Sequence, residues 1–274
     1  MIGILLGLGS GVSWGIADFF GGFASRRMSA AAVACVSQIV GTLLLLVTIA
    51  ATSPQLPPAD ALAIGAAGGV CGGLGVFAFY RALAIGTMSL VAPISALGAG
   101  VPVAFGLLTG ERPSALALVG ALLALSGAVL ASRAPGRAST AGLGLAAVAA
   151  LMFGAFFVLI TPAAETSVLW AALSTRASSV PVLLVVCLLT GAGLRVGRGL
   201  WPFVLGSGVL DVVANVAFAA ATRRGLLSIV SVLAGLYPVA TVVLAQTVLK
   251  ERLSPGQAAG VGAALAGVAL IILA

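Results

Sequence analysis

The chain contains no histidine, very little charge and a single lysine. Charged residues make up 7% of its 274 residues, whereas soluble domains average about 25%. A chain of this kind cannot cover its surface with groups that water solvates, so the sequence excludes a soluble globular protein. The absence of histidine removes the usual proton shuttle and most metal-dependent hydrolase chemistry. We therefore expect no enzyme, no metal site and no cofactor.

Cysteine is also scarce, and the basic residues form no patch. Cys35, Cys71 and Cys187 lie inside apolar runs without metal or redox spacing, so we interpret them as packing residues. The formal net charge of +7 comes from basic residues that sit mostly in short loops, which argues against a nucleic-acid partner. No positive region precedes the first apolar run, so we interpret that run as a transmembrane helix and not a cleaved signal.

Long apolar runs fill the rest of the chain, of which 61% is hydrophobic. A helix needs about 20 apolar residues to cross the bilayer core. Ten segments come near that length: 2–24, 30–51, 61–84, 89–109, 115–132, 141–161, 167–190, 200–221, 226–248 and 255–273. We predict an all-α integral membrane protein with ten transmembrane helices, whose partners are the lipid bilayer and a small-molecule substrate.

Two stretches of the chain are versions of each other. Residues 111–134 align with residues 251–274 after a shift of 140, which places Glu111 on Glu251. We predict two five-helix repeats, 1–134 and 141–274, joined by a linker at 135–140. An odd number of helices inverts the second repeat, which is how many transporters enclose a central cavity.

The two repeats also carry matching helix interruptions. Gly98 lies 13 residues before Glu111, and Pro238 lies 13 residues before Glu251. We predict helix breaks at both positions, because paired interruptions of this kind indicate a transport site.

Two carboxylates lie inside the apolar segments, where each costs about 2.5–3.5 kcal/mol on insertion scales. Asp18 lies one helical turn after Trp14 in the first segment. We interpret it as a site for a substrate amine or a proton. The alternative is an ion pair with Arg26 or Arg27 near the membrane surface.

The second carboxylate, Asp211, belongs to a polar stripe with Ser207 and Asn215, each four residues apart. Such a stripe indicates a substrate site, although similar stripes also hold helices together. Arg176 is the basic residue placed well inside a segment. It predicts either a contact to a substrate carboxylate or an ion pair with an aspartate.

These features together resemble the EamA branch of the drug/metabolite transporter superfamily. The resemblance rests on ten short helices in two repeats, Trp14-Gly15, Gly110-Glu111-Arg112, and Leu236-Tyr237-Pro238 running to Lys250-Glu251-Arg252. It implies a monomeric carrier in a bacterial inner membrane that moves small metabolites, often amino acids, outward. The implied cavity residues are Trp14, Asp18, Tyr80, Phe153, Asp211, Asn215 and Tyr237.

The resemblance carries three further expectations. Arg176 would lie at the periphery of the cavity. Gly98 stands where the family has a proline, so the helix would be kinked less there. Both termini would face the cytoplasm, whereas nine basic residues in odd-numbered loops against three in even-numbered loops place the termini outside.

The sequence therefore predicts a secondary transporter of small metabolites that works by alternating access. A multidrug exporter for lipophilic cations is the alternative, because Trp14 and the two aspartates suit a cation. A membrane enzyme or a passive scaffold is a third class, but no catalytic constellation supports an enzyme.

Overall fold

The computed structural model describes residues 1–86, 88–131, 141–240, 244 and 254–274. Within these residues, every regular element is a helix. The α-helices are α1 (Ile2–Ser25), α2 (Ala30–Thr52), α3 (Ala59–Ile85), α4 (Met88–Ala96), α5 (Gly100–Leu108), α6 (Ala115–Ala131), α7 (Leu143–Ala163), α8 (Val168–Thr190), α9 (Trp201–Thr222), α10 (Leu227–Ala234) and α11 (Pro255–Leu273). The predicted linker at 135–140 and the repeat turn at Glu251 lie outside the described residues.

Length and composition suit most of these helices to a bilayer. In the described part of the chain, seven helices are long and apolar enough to cross a membrane: α1, α2, α3, α7, α8, α9 with its preceding turn, and α11. Three shorter apolar stretches are Ile94–Leu108, α6 and Leu227–Ala240. Leucines on the outer surface, such as Leu108 and Leu189, are more than four-fifths exposed at 88% and 82%. This apolar exterior is that of a multi-pass membrane protein.

Local chemistry fixes where the helices begin and end. Ser254 and Gln257 form a reciprocal capping box at the start of α11. The hydroxyl of Ser167 accepts a hydrogen bond from the backbone of α8. Gly191 ends α8 with a φ of 64°, a left-handed conformation that glycine adopts at little cost. These signals mark both ends of α8 and the start of α11 in the sequence itself.

The fourth apolar segment is interrupted at its centre. A 3-10 turn at Leu97–Ala99 separates α4 from α5 and contains Gly98. A Cβ atom at Gly98 would lie 2.3 Å from the carbonyl oxygen of Ala150 in α7, so only glycine allows this approach. The regular α-helix is thus broken at Gly98. We had expected a weaker kink there, because glycine stands where the family that the sequence resembles has a proline.

The matching segment of the second repeat is also irregular. α10 ends at Ala234, a turn follows at Gly235 and Leu236, and residues 237–240 are helical again. Pro238 lies in that short helical stretch, where it cannot donate a backbone hydrogen bond.

Helices of one repeat pack mainly against helices of the other. α1 lies along α9, and its counterpart α7 lies along α3. Aromatic pairs at matching places show the same relation: Trp14 and Phe218 have ring centroids 5.7 Å apart, and Phe153 and Phe79 have centroids 5.9 Å apart. The two repeats therefore use equivalent contacts, which brings residues of both to the centre of the molecule.

The last helices of the two repeats, α6 and α11, pack backbone to backbone. A Cβ atom at Gly127 would lie 2.3 Å from the amide nitrogen of Ala264, and one at Gly267 would lie 2.4 Å from that of Ala124. Because a methyl group cannot occupy that distance, the glycines let the helices meet closely.

Candidate substrate-binding cavity

A cavity of about 570 Å³, including its opening, lies between α1, α2 and α3 of the first repeat and α7, α8 and α9 of the second. The polar or amphipathic side chains that line it are Trp14, Asp18, Gln38, Thr175, Arg176, Ser179, Asp211, Asn215 and Tyr237. The remaining lining residues are Gly69, Gly72, Gly73, Val76, Phe153, Phe156 and Phe157.

Asp211 on α9 accepts hydrogen bonds from side chains of four helices. The guanidinium of Arg176 forms an ion pair with its Oδ2 at 2.5 Å, and the amide of Gln38 donates to the same oxygen at 3.3 Å. The indole nitrogen of Trp14 donates to Oδ1 at 3.0 Å, and the amide of Asn215 donates to Oδ1 at 3.2 Å. The charge of Asp211 is thus compensated within the protein.

Gln38 on α2 fixes the other side of this network. Its Oε1 accepts hydrogen bonds from Arg176 and, at 2.9 Å, from the hydroxyl of Ser179. Both ends of the Gln38 amide are therefore engaged, which holds it in one orientation. Both terminal nitrogens of Arg176 are engaged as well, one with Gln38 and one with Asp211.

Glycines of α3 explain how Arg176 reaches the cavity. A Cβ atom at Gly69 would lie 2.0 Å from the carbonyl oxygen of Thr175, and one at Gly73 would lie 3.0 Å from the Cβ of Ser179. α8 therefore lies directly against α3, and the Arg176 side chain, which is 4% exposed, forms part of the cavity wall. This placement differs from the peripheral position that the family resemblance implied.

Asp18 on α1 has a different environment from Asp211. It lines the same cavity, yet among the described residues it has no hydrogen bond and no ion pair. The predicted alternative, a pair with Arg26 or Arg27, is not formed, and the guanidinium of Arg27 lies 4.4 Å from the ring centroid of Phe23. The two buried aspartates thus differ in whether the protein compensates their charge.

Aromatic rings form the apolar wall of the cavity. Trp14 lies against Phe157, with ring centroids 5.3 Å apart, and against Phe156 at 6.5 Å. Phe218 lies behind this wall, 4.6 Å from Phe157 in a stacked arrangement. These contacts hold the Trp14 indole in place while its ring nitrogen binds Asp211.

The two tyrosines connect the repeats by hydrogen bonds. The hydroxyl of Tyr80 on α3 lies 3.0 Å from that of Ser207 on α9. The hydroxyl of Tyr237 lies 2.6 Å from that of Ser95 on α4. Tyr237 also lines the cavity, whereas Tyr80 is buried between helices and is not among the lining residues.

The structure thus brings most of the residues singled out in the sequence to one cavity: Trp14, Asp18, Phe153, Arg176, Asp211, Asn215 and Tyr237. Tyr80 and Ser207 pair with each other elsewhere. The sequence analysis did not select Gln38, Thr175, Ser179, Phe156 or Phe157, although all of them line the cavity. A polar residue in the middle of an apolar helix was the available signal for Gln38. Whether the cavity residues bind a substrate stays a prediction.

An all-helical membrane protein with a cavity between two internal repeats has the architecture of many membrane transporters. The model of the EamA-like transporter family matches residues 1–133 and again residues 140–273. The chain therefore belongs to this family, which confirms the resemblance inferred from the sequence. Because the family consists of transporters, the prediction of a protein without enzymatic activity agrees with it at this level.

A solved structure described as "Crystal structure of protein" shares the fold, with a TM-score of 0.83 and 18% sequence identity. The match covers 99% of this chain and 96% of that one. At this identity the likeness concerns the fold alone. No curated protein matches the sequence.

Proposed function

We propose that this protein is a secondary transporter that exports small metabolites, amino acids or related compounds, by alternating access. The observation that carries the proposal is the cavity itself, because both repeats contribute charged or polar side chains to it. A lipid-facing protein has no structural need for charged groups at such a site, where each is costly. Charged groups inside a membrane protein therefore point to a pathway for a polar cargo.

The proposed arrangement has ten membrane-crossing segments in two inverted five-helix repeats, and a single chain in a bacterial inner membrane. The equivalent packing of α1 on α9 and of α7 on α3 supports it. In this arrangement the repeats rock about the cavity and expose it to one side at a time.

If the repeats move against each other in this way, hydrogen bonds that join them must break and form again. They include the bonds from Trp14 to Asp211 and between Ser95 and Tyr237. The 3-10 turn at Leu97–Ala99 and the turn after α10 give each repeat a place where a helix can bend.

Release of metabolites from cells tests the proposal. Medium from cells that produce the protein is compared, by untargeted mass spectrometry, with medium from cells that produce Val76→Trp. Val76 lines the cavity, so the indole fills the space that a cargo would occupy. Val70→Trp on the same helix is the matched control, because Val70 is 38% exposed on the outer surface.

We expect compounds to accumulate outside cells with the wild-type protein and with Val70→Trp, and to remain inside with Val76→Trp. Equal release by both variants would show that the cavity is not the transport path.

Export of lipophilic cations is a second candidate function. It is favoured by the uncompensated Asp18 beside the aromatic wall of Trp14 and Phe156. Resistance to quaternary-amine dyes on expression, lost in Val76→Trp, supports this candidate. Metabolite release without such resistance supports the first.

A further inference from the structure

The polar side chains that line the cavity differ in whether they have hydrogen-bond partners inside the protein. Its side-chain donors already have partners inside the protein: Trp14, Gln38 and Asn215 donate to Asp211, Thr175 donates to the carbonyl of Ala172, and Ser179 donates to Gln38. Both terminal nitrogens of Arg176 have a partner, whereas its Nε is buried without one, on the side of Gly41 in α2. The positive charge of Arg176 is thus already paired with Asp211, and a carboxylate of the cargo would have to compete with Asp211 for it.

Asp18 is the exception among the charged groups. Its carboxylate lines the cavity and has neither a hydrogen bond nor an ion pair within the described part of the chain. The nearby groups are Asp211, which carries the same charge, and the neutral hydroxyls of Tyr80 and Tyr237. An uncompensated carboxylate in such a place is unfavourable unless it takes up a proton or a ligand supplies the opposite charge.

The sum of charges gives the same preference. With Asp18 ionised, the described lining contains two carboxylates, Asp18 and Asp211, and one cation, Arg176, so it carries one net negative charge. A cargo with a single positive charge makes the loaded cavity neutral, whereas an anion adds a second negative charge.

The aromatic wall determines what else such a cargo carries. The Trp14 ring lies one helical turn before Asp18 and packs on Phe156 and Phe157, and all of these rings line the cavity. Rings of this kind bind an apolar body, and their faces attract an organic cation.

We propose that Asp18 is the counter-ion of the cargo, and that the cargo is an organic amine with an apolar body and no free carboxylate. This inference rests on the proposed transport function, narrows its cargo from amino acids to related amines without a carboxylate, and assigns the two aspartates different roles. Asp18 binds the ammonium group directly. Asp211 is a positioning residue that holds Trp14, Arg176 and Gln38 in the cavity wall.

The experiment measures binding to the purified full-length protein in lipid nanodiscs, by calorimetry at neutral pH. Four probes of similar shape differ in charge: phenethylamine is a cation, 2-phenylethanol is neutral, phenylalanine is a zwitterion and 3-phenylpropionate is an anion. The variants are Asp18→Asn, which removes the charge, and Asp18→Glu, which keeps it. Asp60→Asn is the matched control, because Asp60 is an exposed acid in the first turn of α3.

We expect the wild-type protein to bind phenethylamine most tightly and 3-phenylpropionate most weakly. Asp18→Asn weakens phenethylamine binding roughly 10- to 100-fold, the range of one hydrogen bond to a charged group, and leaves 2-phenylethanol unchanged. Asp18→Glu recovers part of the amine affinity, and Asp60→Asn changes nothing.

Three results overturn the inference: no measurable binding of phenethylamine by the wild type, equal losses of amine and alcohol binding in Asp18→Asn, or tighter binding of phenylalanine than of phenethylamine. Failure of the transport function has a separate signature. Charge-selective amine binding without flux in proteoliposomes would keep the inference and remove the carrier. Flux that Asp18→Asn leaves unchanged would keep the carrier and remove the inference.

Discussion

Replacing aspartate by asparagine at position 211 and at position 18 is the same chemical change in two opposite settings. At position 211 the substituted carboxylate accepts four side-chain hydrogen bonds, two on each oxygen. The NH₂ group of an asparagine there faces two donors whichever way the amide is turned. In one orientation it faces Trp14 and Asn215, and in the other it faces Arg176 and Gln38. The asparagine also leaves the charge of Arg176, which is 4% exposed, without a counter-ion.

The expected cost follows from that geometry. Breaking a buried ion pair by removing one partner typically destabilises a protein by about 3–5 kcal/mol. We expect Asp211→Asn to lie in this range. Asp18→Asn removes a carboxylate that has no partner among the described residues, so we expect it to be neutral or to stabilise the protein.

A double substitution separates the ion pair from its surroundings. Arg176→Met alone leaves Asp211 uncompensated, whereas Arg176→Met combined with Asp211→Leu removes both charges. The loss of unfolding free energy in the double variant is therefore expected to be smaller, by roughly 2–3 kcal/mol, than the sum of the losses in Arg176→Met and Asp211→Leu alone.

Equilibrium unfolding in mixed micelles, followed by circular dichroism, gives the free energies of unfolding of all these variants. The reasoning fails if Asp211→Asn and Asp18→Asn are equally stable, or if the costs of removing Arg176 and Asp211 simply add.

Two further predictions concern contacts between the repeats. Gly127→Ala is expected to lower the free energy of unfolding by about 1–3 kcal/mol, because its methyl group would lie 2.3 Å from the backbone of α11. Gly9→Ala is the control: a methyl group there has nothing within 4 Å, so we expect it to be neutral or stabilising in the same unfolding assay. Glu111 accepts hydrogen bonds from the backbone amides of Leu227 at 2.6 Å and Ser228 at 3.0 Å, at the start of α10. Glu111→Gln loses the charge and one acceptor and is expected to destabilise by about 1–2 kcal/mol, so wild-type stability in this variant would show that the contact contributes little.

The sequence by itself determined the membrane environment, the helical class and the family. These properties depend on local patterns: the length of apolar runs, the residues that stop helices and the repeat of residues 111–134 at 251–274. A bilayer allows few ways to satisfy backbone hydrogen bonds, so long apolar runs predict helices reliably. The same local reasoning selected Asp18 and Asp211, because an acid inside an apolar segment needs a reason to be there.

Tertiary structure alone decided what each polar side chain does. Asp18 and Asp211 look alike in the sequence, and only the packing of α8 on α3 through Gly69 and Gly73 brings Arg176 to Asp211 and not to Asp18. Packing likewise pairs the Tyr80 hydroxyl with Ser207, and Tyr80 is not among the residues that line the cavity. The physical reason is that a charge is compensated by whichever helix face lies opposite, and that face is set by contacts between distant parts of the chain.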